Sequence, residues 1–403
     1  MADTALLDRI LDQAGRADPY PLYARLRETP VLRRPDGTYV VSTYHEVVAL
    51  LHDPRVSSDP RHHPGGEALA ESGEGLPMEF IRLDPPAHDR LRDAAMRPFG
   101  PPQTPGRIQA MRPWLTGLAG ELLDGLAGRG EAELVAEFAY PLPVAAICRL
   151  LDVPRSDQPR FSAWADALIR TFDPATGSFV ERQQARNAAV ADLGDYLARL
   201  VDGRAGRTGE DLISGMLADA GPHGAMTRGD VVATSVLLLV AGHETTVNLI
   251  ANGILTLLRR PEHLERLRAD PDRVVPLVEE LLRYEPPVHM LTGRSALADI
   301  EILGTTIPAG SELMLMLAAA SRDPARFAEP DGFDPDRPDN EHLGYGSGIH
   351  YCFGAPLARI ETQVALLAFA DRVKNPRLVT DPPPYRPNPA LRGPSELRVA
   401  FDG

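Results

Sequence analysis

The stretch Leu343-Gly344-Tyr345-Gly346-Ser347-Gly348-Ile349-His350-Tyr351-Cys352-Phe353-Gly354 runs straight into a helix-like segment from Ala355 to about Val373. Its glycines at 344, 346, 348 and 354 give a backbone that can turn sharply and lie close against a flat partner. The sulfur of Cys352 stands just before a helix N-terminus, where unpaired amides and the helix dipole favour a thiolate over a thiol. A thiolate in a glycine-lined loop is either a nucleophile or a metal ligand.

A nucleophile needs a base and an orienting group, and His350 is too rigidly tethered, two residues away, to serve as that base. Zinc needs about four ligands. The chain has only one other cysteine, Cys148, inside the apolar run 141–151, where a buried structural thiol is expected. Haem iron needs only one protein thiolate, because the macrocycle fills the four in-plane positions. The loop resembles that of the cytochrome P-450 family, whose pattern is Phe-Gly-x-Gly-x-His-x-Cys-x-Gly continuing to Leu-Ala-Arg. This chain has Tyr345 in the first position and ends in Leu357-Ala358-Arg359. The resemblance spans nearly the whole chain from about Asp18. It implies haem b (iron protoporphyrin IX) on Cys352, and a mainly α fold with a small β-rich lobe: one large domain over 1–403. The lobe is expected from about 30–60 and 295–315 plus C-terminal hairpins, and the helical core from about 85–290 and 355–373.

Composition fits and narrows this. At 403 residues the chain is longer than one core usually grows, yet 39 prolines and 34 glycines are scattered, with no linker and no repeat. A formal charge of −14 argues against nucleic acid or an anionic membrane surface. Two cysteines make no disulfide framework, which suits a reducing cytoplasm. The start, Met1-Ala2-Asp3-Thr4-Ala5, shows no signal-peptide pattern, and the apolar run 231–241 is too short to span a bilayer. A cytoplasmic monomer with no membrane partner is expected.

Along the chain, 18–26 reads as a proline-led helix, Tyr39-Val40-Val41-Ser42 as a strand, and 57–80 as a long loop. Strand-like pieces return at Ile300-Glu301-Ile302 and around Ile307. The spacing of Leu237, Leu238, Leu239, Val240, Val247, Leu249, Ile250, Ile254 and Leu257 predicts one long buried helix over 236–258. In its middle sits Ala241-Gly242-His243-Glu244-Thr245-Thr246. Glycine in a helix interior costs about 1 kcal/mol, and buried polar side chains cost more unless satisfied. A stretch that breaks both rules invites a functional reading. Ala241 and Gly242 would let a flat cofactor come close. The Thr245 hydroxyl would bond reduced dioxygen and compete for a backbone carbonyl, and Glu244 would relay protons. By resemblance this is the family's acid–alcohol pair, with Glu where Asp is commoner.

Glu280 and Arg283 lie three apart on a helix, within reach of each other. Followed by Tyr284-Glu285-Pro286-Pro287, they resemble the family's Glu-x-x-Arg motif, joined by Arg337 to support the cysteine loop; all three are read as structural. His88 and Arg92, four apart, would repel if both were charged unless an anion lay by them. The resemblance makes them haem-propionate donors together with Arg294 and His350, while Tyr345, Gly346 and Gly354 line the cofactor. Tyr345, Ser347 and Phe353 depart from the usual Phe, basic and small aliphatic residues, so the Tyr345 hydroxyl needs a partner.

The function implied is a soluble, bacterial-type monooxygenase that hydroxylates or epoxidises an apolar secondary metabolite. With no flavin or iron–sulfur motif, electrons come from a ferredoxin and its reductase. Leu237, Leu238, Ala241, Val288, His289, Met290 and Leu291, with part of loop 60–82, are expected to line a mostly apolar pocket. The rivals are a peroxide-using or oxidative-coupling haem-thiolate enzyme and a non-catalytic haem sensor.

Overall fold

A computed structural model describes every residue except 1, 67–75, 101–103, 158, 161–163, 165–166, 169–176, 207–208, 219–220, 222–223 and 403. The expected pocket loop 60–82 therefore lies partly outside the described residues.

The helices that build the site are α1 (Tyr44–His52), α2 (Ala87–Phe99), α3 (Arg112–Asp124), α4 (Phe179–Arg204), α5 (Arg228–Ala241), α6 (Glu244–Arg259), α7 (Val274–Tyr284) and α8 (Ala355–Arg372). Helix α8 packs on α3, α6 and α7, and α5 packs on α4, around one large apolar core. Five strands form a sheet in the order β1 (Val31–Arg33), β2 (Tyr39–Val41), β8 (Glu312–Leu315), β5 (Leu291–Ala296), β3 (Val56–Ser57). Strands β6 (Ile300–Ile302) and β7 (Thr305–Ile307) make a hairpin beside it. Strand β4 (Glu131–Glu133) joins β10 (Arg398–Asp402) and β9 (Lys374–Leu378) in a second sheet. The second segment of the β-rich lobe thus begins at Leu291, a few residues before the expected 295, and β4 is a strand inside the expected helical core of 85–290.

The expected single helix over 236–258 is two. Helix α5 starts at Arg228, where Thr227 and Asp230 cap each other in a reciprocal box. It ends at Ala241, and α6 begins at Glu244 after the break at Gly242 and His243. The Thr245 hydroxyl donates to the Ala241 carbonyl at 3.0 Å, a side-chain bond that competes with the backbone ladder at its weakest point. Together α5 and α6 are long and apolar enough to cross a membrane by composition, but their residues are mostly buried in the fold, as in a core helix.

Candidate active site

Ala241 is exposed although the helices on both sides of it are buried, and Leu237, Val240, Gly242 and Thr245 are half-buried. The break therefore faces internal space. Val288, Leu291, Arg294, His350, Cys352 and Gly354 are also half-buried residues carried by interior elements. Two expected pocket residues lie elsewhere. His289 is fully buried, its Nδ1 2.7 Å from the Tyr23 hydroxyl, and Met290 packs in a separate core cluster with Tyr20 and Tyr23. The chain enters β5 just after them, and hydrogen bonding of His289 N–H to the Ala390 carbonyl fixes the segment's orientation. Leu238 is buried in the main core.

The cysteine loop is pinned from several sides. The Cys352 amide donates to the Tyr345 carbonyl at 3.0 Å. Gly348 has φ +69°, and a Cβ there would run into the Leu51 carbonyl of α1, so the loop needs glycine at that position. Glu279 on α7 takes the Arg359 guanidinium through both oxygens, at 2.7 and 2.9 Å, and His342 at 3.1 Å. Although burial pushes the Glu279 carboxyl up, Arg359 and His342 hold it down at about 2. Arg359 closes the Leu-Ala-Arg motif, but its partner Glu279 lies eighty residues earlier beside the stronger motif residue Glu280, so the clamp itself was not legible in the sequence. Of the departures, Ser347 bonds His52 at 2.7 Å, Phe353 packs on Phe80 and Phe99, and the buried Tyr345 hydroxyl has no hydrogen-bond partner among the described residues.

Burial pushes the Cys352 thiol up from its ordinary range, and the amides of Gly354 and Ala355 with Arg92 and Arg359 offset only part of that. This reverses the expectation that the helix terminus alone favours a thiolate. A thiol so placed is a poor free nucleophile; a coordinating metal deprotonates it outright. Among the described residues no three His, Cys, Asp or Glu side chains converge as a metal site, so the single-thiolate chemistry of haem fits and that of zinc does not.

Four donors converge beside the loop. The rings of His88 and His350 lie 4.6 Å apart. Burial, then Arg294, His88 and Arg92 in that order, push His350 down to about 3. Its Nε2 meets the Ser58 hydroxyl at 2.8 Å, while its buried Nδ1 has no hydrogen-bond partner among the described residues. His88 bonds Asp89 through Nδ1, leaving a buried Nε2 unpartnered. Burial pulls Arg294 down to about 10. Arg92 donates to the Tyr351 carbonyl at 2.6 Å. Buried positive charge of this density, with unpartnered nitrogens, calls for an anion. The propionates of a haem on Cys352 meet that requirement.

Glu280 and Arg283 are fully buried and joined twice, at 2.6 and 2.8 Å. Arg283 also donates to the carbonyls of Ser321, Pro330 and Gly332, and Glu280 accepts from Asp334 N–H and Asn340. Arg337 Nε comes within 3.5 Å of Glu280. The trio ties α7 to the segment 321–340.

The cytochrome P450 family model matches residues 182–394, and the chain is 40% identical to cytochrome P450 monooxygenase PikC of Streptomyces venezuelae, over 97% of this chain and 93% of that one. The chain belongs to the cytochrome P450 family. It is also 39% identical to vitamin D(3) 25-hydroxylase of Pseudonocardia autotrophica, over 95% and 94% of the two chains. The ligand-free cytochrome P450 CYP164A2 of Mycobacterium smegmatis superposes with a TM-score of 0.88, at 42% identity over 99% of this chain and 100% of the other. As in its relatives, the activity of this P450 is that of an oxygen-incorporating oxidoreductase, and the family implies haem.

Glu244 is where the geometry departs most from the sequence reading. It is 2% exposed, and its carboxylate lies 2.8 Å from Arg386 Nε on the C-terminal segment. Successive side chains on a helix point about 100° apart, and Glu244 pairs with Arg386 while Thr245 bonds the Ala241 carbonyl. Asn248 and Asn252 continue the same face, Asn252 donating to the carbonyls of Glu285 and Arg392. Preceding it, His243 is buried against Tyr140, and burial, then Arg386, push it down to about 4. Neither Arg386 nor Tyr140 carried a sequence signal, since each lies over a hundred residues from the helix break.

Proposed function

We propose that this P450 hydroxylates or epoxidises an apolar secondary metabolite, with Cys352 as the residue whose thiolate would hold haem b. The observation that carries this is the half-buried Cys352 among interior elements, with the unpartnered nitrogens of His88 and His350 beside Arg92 and Arg294. When bound, the haem supplies the oxygen-activating chemistry. His88, Arg92, Arg294 and His350 would hold its propionates, and Tyr345, Gly346, Gly354, Ala241 and Gly242 would line it. Leu237, Ala241, Val288 and Leu291 present an apolar wall to the substrate and exclude water. Thr245 Oγ1 holds a hydrogen-bonding proton at the helix break. Glu244 brings protons to it once its pair with Arg386 opens, because a carboxylate held by a guanidinium cannot donate. Relatives named vitamin D(3) 25-hydroxylase and 6-deoxyerythronolide B hydroxylase support a mostly apolar substrate.

Electrons are proposed to come from a ferredoxin and its reductase, to a monomer in the cytoplasm. The test supplies a ferredoxin, its reductase and isotopically labelled dioxygen to the purified protein with panels of terpenoids, macrolides and steroids. One labelled oxygen in a product supports the reading; turnover with peroxide but never with dioxygen and electrons would replace it by the peroxide-using one.

A further inference from the structure

A hollow of ≈ 200 Å³ lies between the first turn of α4 and one face of the five-stranded sheet, walled by Arg34, Thr38, Phe179, Thr292, Glu312 and Met314 among others. Sites that enclose a whole drug-sized ligand run to ~300–1,000 Å³, so this one has room for a single ring. Some of the polar atoms around it lack a hydrogen-bond partner among the described residues. Arg34 Nε is buried without a hydrogen-bond partner among the described residues, and its Nη2 reaches Asp36 only at 3.3 Å. The Glu312 carboxylate meets Thr38 Oγ1 and His63 Nε2 at 3.4 Å each, the outer edge of hydrogen-bonding range. His63 is 5% exposed, and that nitrogen makes no hydrogen bond.

The charges around the hollow balance, Arg34 and Arg182 against Asp36 and Glu312, so neither an anion nor a cation is selected. Met314 and Phe179 add apolar surface. A neutral ring carrying several hydroxyls satisfies this set: each hydroxyl donates to a carboxylate and accepts from a guanidinium, and the ring's C–H faces cover the apolar wall.

We propose that this hollow binds one uncharged, polyhydroxylated ring of the hexose class, carried as the polar end of an apolar substrate. The inference rests on the monooxygenase reading, because the apolar remainder must reach the reacting centre along β5. Thr292 belongs to the hollow, its neighbour Leu291 to the apolar wall, and Arg294 stands two residues on. Between them β5 bulges at Gly293, φ +71°, which breaks its register with β8.

The test titrates the haem-loaded protein with octyl β-D-glucoside, 1-octanol, octanoate and octylamine, following both the haem absorption and the heat of binding. The glucoside is expected to bind at least about tenfold tighter than the other three, equivalent to about 1.4 kcal/mol. Glu312→Gln and Arg34→Met should each weaken the glucoside about threefold or more, with octanol binding and melting temperature unchanged. Equal binding of all four, a preference for a charged head, or equal losses for octanol would overturn the proposal. Glu312→Gln preserves shape and decides alone if the arginine variant unfolds. Absence of a thiolate-haem spectrum would defeat the monooxygenase reading, and the heats would still decide the hollow.

Discussion

Thr245 and Glu244 are neighbours in the chain, but their side chains leave α6 in different directions, one toward the helix break and one toward Arg386. This separates their effects. Thr245→Ala should leave haem content intact and send most reducing equivalents to peroxide, measured as peroxide formed per NADH consumed; unchanged coupling would mean that protons arrive by another path. Arg386→Leu leaves Glu244 buried without its cation, which raises a carboxyl. A rate-limiting proton step should then shift its pH dependence upward, and an unmoved profile would remove Glu244 from the path. Cys352 and Thr245 were legible from sequence because each breaks a local rule, a thiol amid glycines and a hydroxyl in an apolar helix. Arg386 was not. Its role depends on the C-terminal segment lying along α6, and no periodicity in 380–395 announces that. His289 misled for the opposite reason: it sits between two pocket residues in sequence, yet Tyr23, from the chain's first helices, claims its ring.

At the scale of elements, the Glu280–Arg283 pair clamps α7 to the chain leading into the cysteine loop. Breaking a fully buried pair leaves one charge uncompensated, at a cost of about 3–5 kcal/mol. Glu280→Ala should therefore lower the melting temperature and the haem-to-protein ratio together; normal haem content with lost turnover would make Glu280 catalytic. Gly348→Ala should fail similarly through the Leu51 carbonyl, with a milder loss if α1 can shift. The period of α5 and α6 was readable, and so was the anomaly at Gly242. That the anomaly would end one helix and start another was not, since the same residues could have been accommodated as a kink.

Across the whole molecule, the arginine–carboxylate clamps tie the β-rich lobe and the cysteine loop to the helical core, and their charge makes stability depend on pH. Glu279 has a folded-state pKa of about 2 against an ordinary value of 4.5. A depressed carboxyl stabilises above its unfolded pKa and loses that contribution as pH falls through the folded one. Melting temperature should drop between about pH 4.5 and pH 2, and Glu279→Gln should flatten that part of the profile; a curve of unchanged shape would mean that Glu279 contributes nothing. The fold class and the lobe were legible because the motifs come in one order along the chain. The polar hollow beside α4 was not, because its walls come from four separated segments. What joins every scale is the claim that the interior holds a haem on one sulfur. Its most direct test is the carbon monoxide difference spectrum of the reduced protein. The account predicts a strongly red-shifted band in the native chain that Cys352→Ser abolishes, and a band that survives the substitution would contradict it.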